Sequence, residues 1–129
     1  MISQQEHNLI KKFIIKAKQE RYLAFLDNPK LRHKFRKELY HFKDFDSNLF
    51  QELQGNENVR EIIATRINRY NNIPTCFVIS ANALYDGKTL NVDEAIENVI
   101  GIEGTILIFG NADLVYYEGE APKNRLISQ

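Results

Sequence analysis

Cysteine and long apolar stretches are both scarce in this sequence, and their scarcity excludes several classes of protein. Cys76 is the only cysteine, so no disulfide can form within the chain. No window approaches the roughly 18 uninterrupted apolar residues of a membrane-spanning helix. The first residues, MISQQEHNLIKKF, lack the basic-then-apolar order of a secretion signal. We therefore expect a cytoplasmic protein in a reducing environment, with no membrane as partner.

Motifs typical of common enzymes are also absent. Ser80 lacks the Gly-x-Ser-x-Gly elbow, and the chain has neither a Walker-type phosphate loop nor a Gly-x-Gly-x-x-Gly motif. Cys76 lies inside the apolar run TCFVIS, where a thiol usually packs as a small hydrophobe. These absences favour a non-enzymatic protein, and we expect no cofactor.

The chain also lacks net charge, although its two segments are each strongly charged. The 17 Lys and Arg residues balance 17 Asp and Glu residues. Residues 1–43, however, hold 11 of the basic residues and only four acidic ones, so this segment carries +7 and the remainder −7. Either the basic segment faces an anionic partner, or the two segments neutralise each other within the fold or between subunits.

Apolar residues at helical spacing predict three helices before the first strand. The first covers about 4–26, and the second covers about 29–42 after the break at DNPK. The third covers about 58–70, and the polar segment 43–57 before it is expected to be a loop.

β-branched and aromatic runs dominate the rest of the chain and predict strands. These strands cover about 75–80, 105–109 and 114–118, and RLIS adds a short candidate strand at 125–128. The segment NVDEAIENVIG predicts a helix over 92–100, with Asn91 as its cap.

The order of these elements predicts the fold class. Helices that come first, followed by clustered strands, indicate a single α+β domain over residues 1–129. We expect the helices to pack on one face of a small, mostly antiparallel sheet. The polar stretch ANALYDGKTL, with the turn dipeptide Asp86-Gly87, is interpreted as the connection between a strand and a helix.

The basic segment supplies the first candidate binding surface. Cations spaced along a surface displace counterions from nucleic acid, and interleaved aromatic rings stack on bases. A pI near 6.8 is low for a dedicated nucleic-acid domain, so at this surface a solvated helix face, or one that docks against the acidic half of the chain, is favoured over nucleic-acid binding. For the protein as a whole, a protein partner is the first expectation and nucleic acid the alternative. The surface consists of Lys11, Lys18, Arg32, His33, Arg36, Lys37 and Tyr40.

A second candidate is a pocket around Arg66, which projects from the apolar face of the third predicted helix. Such an arginine either extends to water or pairs with a carboxylate, for which Asp86 and Glu103 are candidates. The functional interpretation is an anion pocket in a small enzyme or ligand-binding domain, and the structural one is a core arginine. The pocket would combine Arg66 with Ser80, Asn82, Tyr85 and Asp86.

A third candidate, the segment HFKDFD, places His41, Asp44 and Asp46 within six residues. An imidazole and two carboxylates suit a divalent metal, but their spacing matches no ligand signature, so we expect no metal site. Taken together, these patterns predict a small binding or regulatory protein that acts through segregated charged surfaces on a protein partner or on its own copies.

Overall fold

Six strands form one antiparallel sheet in the computed structural model, which describes residues 2–70, 72–120 and 124–129. The sheet order is β1-β6-β5-β4-β2-β3, and every neighbouring pair is antiparallel. The strands are β1 Phe50–Glu52, β2 Thr75–Ser80, β3 Thr89–Asn91, β4 Thr105–Phe109, β5 Leu114–Glu118 and β6 Arg125–Ser128.

The predicted α+β class is confirmed, and so are the four predicted strands. The two strands at the sheet edges, β1 and β3, were expected to be loops. Each has only three residues, which is too short for an alternating pattern to show in the sequence.

Five α-helices accompany the sheet in the described ranges. Two 3₁₀ helices follow α3, at Lys37–His41 and Ser47–Leu49. The second predicted helix is therefore α3 followed by a 3₁₀ helix. The α-helices are α1 Gln4–Phe13, α2 Lys16–Asp27, α3 Arg32–Arg36, α4 Val59–Ile67 and α5 Val92–Asn98.

The first predicted helix is divided in two, contrary to the expectation of one helix over 4–26. Ile14 is extended and forms an isolated antiparallel bridge with Phe45. Ile15 N donates to Asp44 O at 2.9 Å, and Asp46 N donates to Phe13 O at 2.8 Å. The backbone at the break bonds to a distant segment, which the local apolar spacing cannot reveal.

Helices cover both faces of the sheet, so the expectation of helices on one face is wrong. On one side, α1, α2, α3 and the following 3₁₀ helix pack against alternate residues of the central strands, including Ile106, Ile108 and Tyr117. On the other side, α4 and α5 pack against the intervening residues, including Leu107 and Tyr116. We call these the N-terminal layer and the α4–α5 layer.

The central strand β4 explains this arrangement, because all five of its residues are buried. A strand that is buried on both faces has apolar residues at every position rather than at alternate ones. No helix in the described ranges combines the length and the apolar character needed to cross a membrane.

Candidate functional site

An ion cluster joins the N-terminal layer to the loop that follows β2. Arg32 donates from Nε and Nη2 to the two carboxylate oxygens of Asp86, at 2.8 and 3.0 Å. Its Nη1 donates to Glu6, whose other carboxylate oxygen accepts from Ser3 N at 3.0 Å. Arg36 Nε lies 3.4 Å from Asp86 Oδ2.

The cluster is largely shielded from water and internally neutral. The side chains of Glu6 and Asp86 are only 3% and 10% exposed, and those of Arg32 and Arg36 are 20% and 25% exposed. Burial by itself lowers the pKa of Arg32, but its hydrogen bonds to Asp86 and Glu6 outweigh burial and raise that pKa above its ordinary value. Arg32 and Arg36, predicted as part of an exposed basic surface, are therefore engaged inside the fold.

The remaining residues of the predicted basic surface face solvent to different degrees. Lys11, His33, Lys37 and Tyr40 are exposed, and Lys18 is half-exposed. Within the described part of the chain, none of the eight lysines of residues 1–43 forms an ion pair. The basic surface is thus present on the N-terminal layer, and most of its exposed basic residues are lysines.

Ring contacts fix part of this surface. The guanidinium of Arg21 lies 5.3 Å from the centroid of the Phe25 ring, and Lys34 Nζ lies 5.9 Å from the same centroid. Both distances fall within the range of a cation–π interaction. Lys34 is therefore held beside α2 by a contact that leaves its charge unpaired.

Arg66 lies at the opposite end of the sheet from its predicted pocket. Its Nη1 donates to Ser128 O at 2.6 Å, and its Nη2 donates to Gln51 Oε1 at 2.5 Å. Ser128 is in β6 and Ser80 in β2, three strand spacings apart, or about 14 Å. Asp86, one of its two predicted partners, binds Arg32 and Arg36 instead.

The other members of the predicted pocket form a local network around Ser80. Ser80 Oγ lies 2.8 Å from Thr105 Oγ1 and accepts from Asn82 N at 3.0 Å. Ser80 N donates to Asp86 Oδ1 at 3.0 Å. Tyr85 lies in the same loop, where its backbone N donates to Asn82 O at 3.1 Å. The structure thus brings Ser80, Asn82, Tyr85 and Asp86 together without Arg66.

Two concavities adjoin each other at Arg66 and Arg69. The larger one, about 400 Å³, is lined only by residues between Glu57 and Arg69, so it runs along the surface of one helical segment. The smaller one, about 240 Å³, lies between the end of α4 and the edge of the sheet. Ser128 and Gln129 belong to its lining, and Ser128 O already accepts from Arg66.

His41, Asp44 and Asp46 have separate partners. His41 Nε2 lies 2.8 Å from Glu120, Tyr22 OH donates to Asp44, and Asp46 accepts from Asn48 N at 3.2 Å. No group of three or more metal-ligating side chains converges in the ranges that the structure describes. These residues stabilise turns and a helix contact.

Cys76 is completely buried in the α4–α5 layer. Burial raises the pKa of its thiol well above the ordinary value, so the thiolate is disfavoured in the fold. The interpretation of Cys76 as a buried hydrophobe is confirmed.

Two residues, Glu6 and Leu84, were not among the residues predicted from the sequence to have a role. Glu6 is the buried partner of Arg32, and its available signal was Ser3 three positions earlier, because Ser-x-x-Glu is the pattern of a capping box. Leu84 is 69% exposed, and no local pattern distinguishes an exposed leucine from a buried one.

No family model, curated protein or solved structure matches this chain. The geometry of its surfaces therefore has to carry any conclusion about function.

Proposed function

We propose that this protein is a non-enzymatic, cytoplasmic binding or regulatory protein whose N-terminal layer docks onto an acidic surface of a partner protein. The observation that carries the proposal is the set of unpaired lysines on that layer. Seven of the eight lysines in residues 1–43 are exposed, and Lys18 is half-exposed. In the described ranges, the ammonium group of Lys12 is the one among these eight that donates a hydrogen bond to the fold, to Ala112 O at 2.8 Å.

The exposed carboxylates of α5 lie in a different layer from these lysines. Asp93, Glu94 and Glu97 are exposed on α5, which lies in the layer across the sheet. Two ion-pair contacts link the N-terminal arginines to a carboxylate from later in the chain, and both involve Asp86. The positive charge of the lysines is therefore available to steer an oppositely charged surface.

A protein partner fits this surface better than nucleic acid does. Arginine is the residue whose planar fork suits phosphate, and both Arg32 and Arg36 use theirs inside the fold. Stacking on bases needs exposed rings, and Tyr40 is the one aromatic among the markedly exposed large hydrophobic residues of the described ranges. Lysines without these additions suit carboxylates on a protein.

The test uses poly-L-glutamate as an acidic polypeptide and single-stranded homopolymeric DNA as the competing polyanion. We expect the full chain to bind poly-L-glutamate at low salt, and to bind it more tightly than DNA at an ionic strength of about 0.15 M. Lys34→Glu should weaken binding about three- to tenfold, because it reverses one unpaired charge of the surface. Fluorescence anisotropy measures both affinities.

Arg69→Glu provides the matched control, since it makes the same charge change on an exposed residue of the opposite layer. Equal effects of the two substitutions would show that only net charge matters and would contradict the proposal. Tighter binding of DNA at both salt concentrations would favour nucleic acid as the partner. Multi-angle light scattering on the free protein separates both outcomes from self-association.

A further inference from the structure

Leu84 is the most exposed large hydrophobic residue in the described part of the chain, at 69%. It lies in the loop 81–87, between β2 and β3. Single exposed leucines are common on protein surfaces and need no explanation by themselves. The hydrogen bonds and ion pairs that hold this loop in place do need an explanation.

The loop is ordered by its own hydrogen bonds. Ala81 N donates to Gly104 O at 2.8 Å, and Gly87 N donates to Val78 O at 2.8 Å. Between these ends, Asn82 O accepts from two backbone N–H groups of the loop, and Asn82 Oδ1 accepts from Leu84 N at 2.9 Å. The backbone at Leu84 is therefore fixed before any partner arrives.

The N-terminal layer clamps the same loop from outside. Arg32 binds both carboxylate oxygens of Asp86, and Arg36 donates to Ser80 O at 2.8 Å and to Ala81 O at 3.1 Å. An antiparallel pair of strands can be joined by two turn residues, without any of these contacts. Placing an ion cluster largely out of water also costs desolvation energy. The fold thus maintains a longer, rigid loop that presents a leucine to solvent.

The surroundings indicate the chemistry of a partner. His33 and Lys37 each follow one of the clamping arginines by one position, and both are exposed. Tyr40 is 39% exposed and borders the loop, since a β-carbon at Gly104 would lie 3.1 Å from both its ring and Ala81. His41, next to Tyr40 in the chain, is paired with Glu120. An exposed aromatic ring and two exposed basic side chains therefore belong to the same helical segment that clamps the loop.

We propose that the loop 81–87 is a docking element that inserts Leu84 into the apolar stripe of an acidic amphipathic helix on the partner protein. The glutamates and aspartates beside that stripe then face Lys37 and the neighbouring lysines. This inference rests on the proposed function and adds the apolar contact that gives the charged surface its specificity. A preorganised loop favours such binding because little conformational entropy is lost on association.

The experiment uses two crosslinked helical peptides of about 15 residues with identical composition. In the first, leucines recur at i, i+3, i+4 and i+7 between glutamates, and in the second the same residues are permuted so that no stripe forms. We expect the full chain to bind the first peptide about tenfold more tightly than the second. Leu84→Ser should remove that preference, because burial of one leucine corresponds to a factor of ten or more in affinity.

Leu49→Ser is the matched control, because Leu49 is also exposed, at 38%, and lies outside the loop. Circular dichroism and urea unfolding should show both variants folded as stably as the wild type. Equal binding of the two peptides, or wild-type binding by Leu84→Ser, would overturn the docking role of Leu84. If the wild-type protein is a dimer and Leu84→Ser makes it a monomer, Leu84 binds a second copy of the chain and the partner helix is ruled out.

The two proposals fail in different ways. If the protein binds poly-L-glutamate and Leu84→Ser has no effect on peptide binding, the proposal for the charged surface is supported. The proposal for the loop is then contradicted. If binding of the striped peptide depends on Leu84 but is not weakened by Lys34→Glu, the proposal for the charged surface is contradicted. The proposal for the loop is then supported.

Discussion

At the scale of single residues, Asp86 is the carboxylate of the acidic segment that the two arginines of α3 share. It accepts hydrogen bonds from Arg32 and from Ser80 N and forms an ion pair with Arg36, so it connects the N-terminal layer to the loop after β2. The sequence shows it as the first residue of an Asp-Gly turn and as a candidate partner of Arg66, but its actual arginine partners come from about fifty positions earlier and could not be recognised.

We predict that Asp86→Asn lowers the free energy of unfolding by about 2–3 kcal/mol, because it leaves Arg32 and Arg36 with an uncompensated charge at a largely shielded site. Urea denaturation measures the change, and hydrogen exchange of residues 80–87 should speed up at the same time. Glu97→Gln is the control, since it removes an exposed carboxylate from α5. Equal stability of the two variants would show that the ion cluster does not hold the loop.

At the scale of elements, the sheet is enclosed by helices on both sides. Leu107 and Ile108 are neighbours in β4, and both are completely buried, but they belong to different cores. Their equal burial was readable in principle, since TILIF has apolar side chains at four consecutive positions. What the sequence could not reveal was which helices cover which face.

We predict that Leu107→Ala and Ile108→Ala each reduce the free energy of unfolding by about 2–5 kcal/mol, because each leaves a cavity in a closed core. Urea unfolding of both variants by circular dichroism tests this expectation. Ile15→Ala, at a partly exposed position, should cost much less and serves as the reference. A sheet with one solvated face would instead tolerate one of the two β4 substitutions.

At the scale of the whole molecule, buried tyrosines make the two cores sensitive to alkali together. Tyr22 and Tyr117 lie in the core under the N-terminal layer, and Tyr116 lies in the core under α4 and α5. Burial raises the pKa of all three phenols, and hydrogen bonding to Asp44 adds to the effect for Tyr22. In the unfolded chain the phenols ionise with an ordinary pKa of about 10.

We therefore predict that stability is retained below about pH 10 and falls progressively above it, because the unfolded chain releases these protons first. Stepwise alkaline titration should show the tyrosinate absorbance of these three residues rising together with the loss of far-ultraviolet circular dichroism. Refolding after return to neutral pH controls for chemical damage. Ionisation of Tyr22, Tyr116 and Tyr117 in a chain with native circular dichroism would contradict the burial that the structure shows.

The distribution of charge over the whole molecule was predictable from the sequence in one respect and unpredictable in another. The count of lysines in residues 1–43 was available from the sequence, and within the described ranges those lysines form no ion pairs. Arg32 and Arg36 looked the same as those lysines, yet the fold brings them to Asp86. The pairing of distant charges depends on how elements pack, and no local spacing encodes it.

The sequence by itself determined the α+β class, the positions of the central strands, the burial of Cys76 and the basic character of the first 43 residues, because composition and short-range periodicity govern these properties. Only the tertiary structure decided that helices cover both faces, that the first helix breaks at Ile14 to pair with Phe45, and that Leu84 stands in water on a clamped loop. Each of these depends on contacts between segments far apart in the chain, whose free energies outweigh local preference and leave no pattern within a window of neighbouring residues.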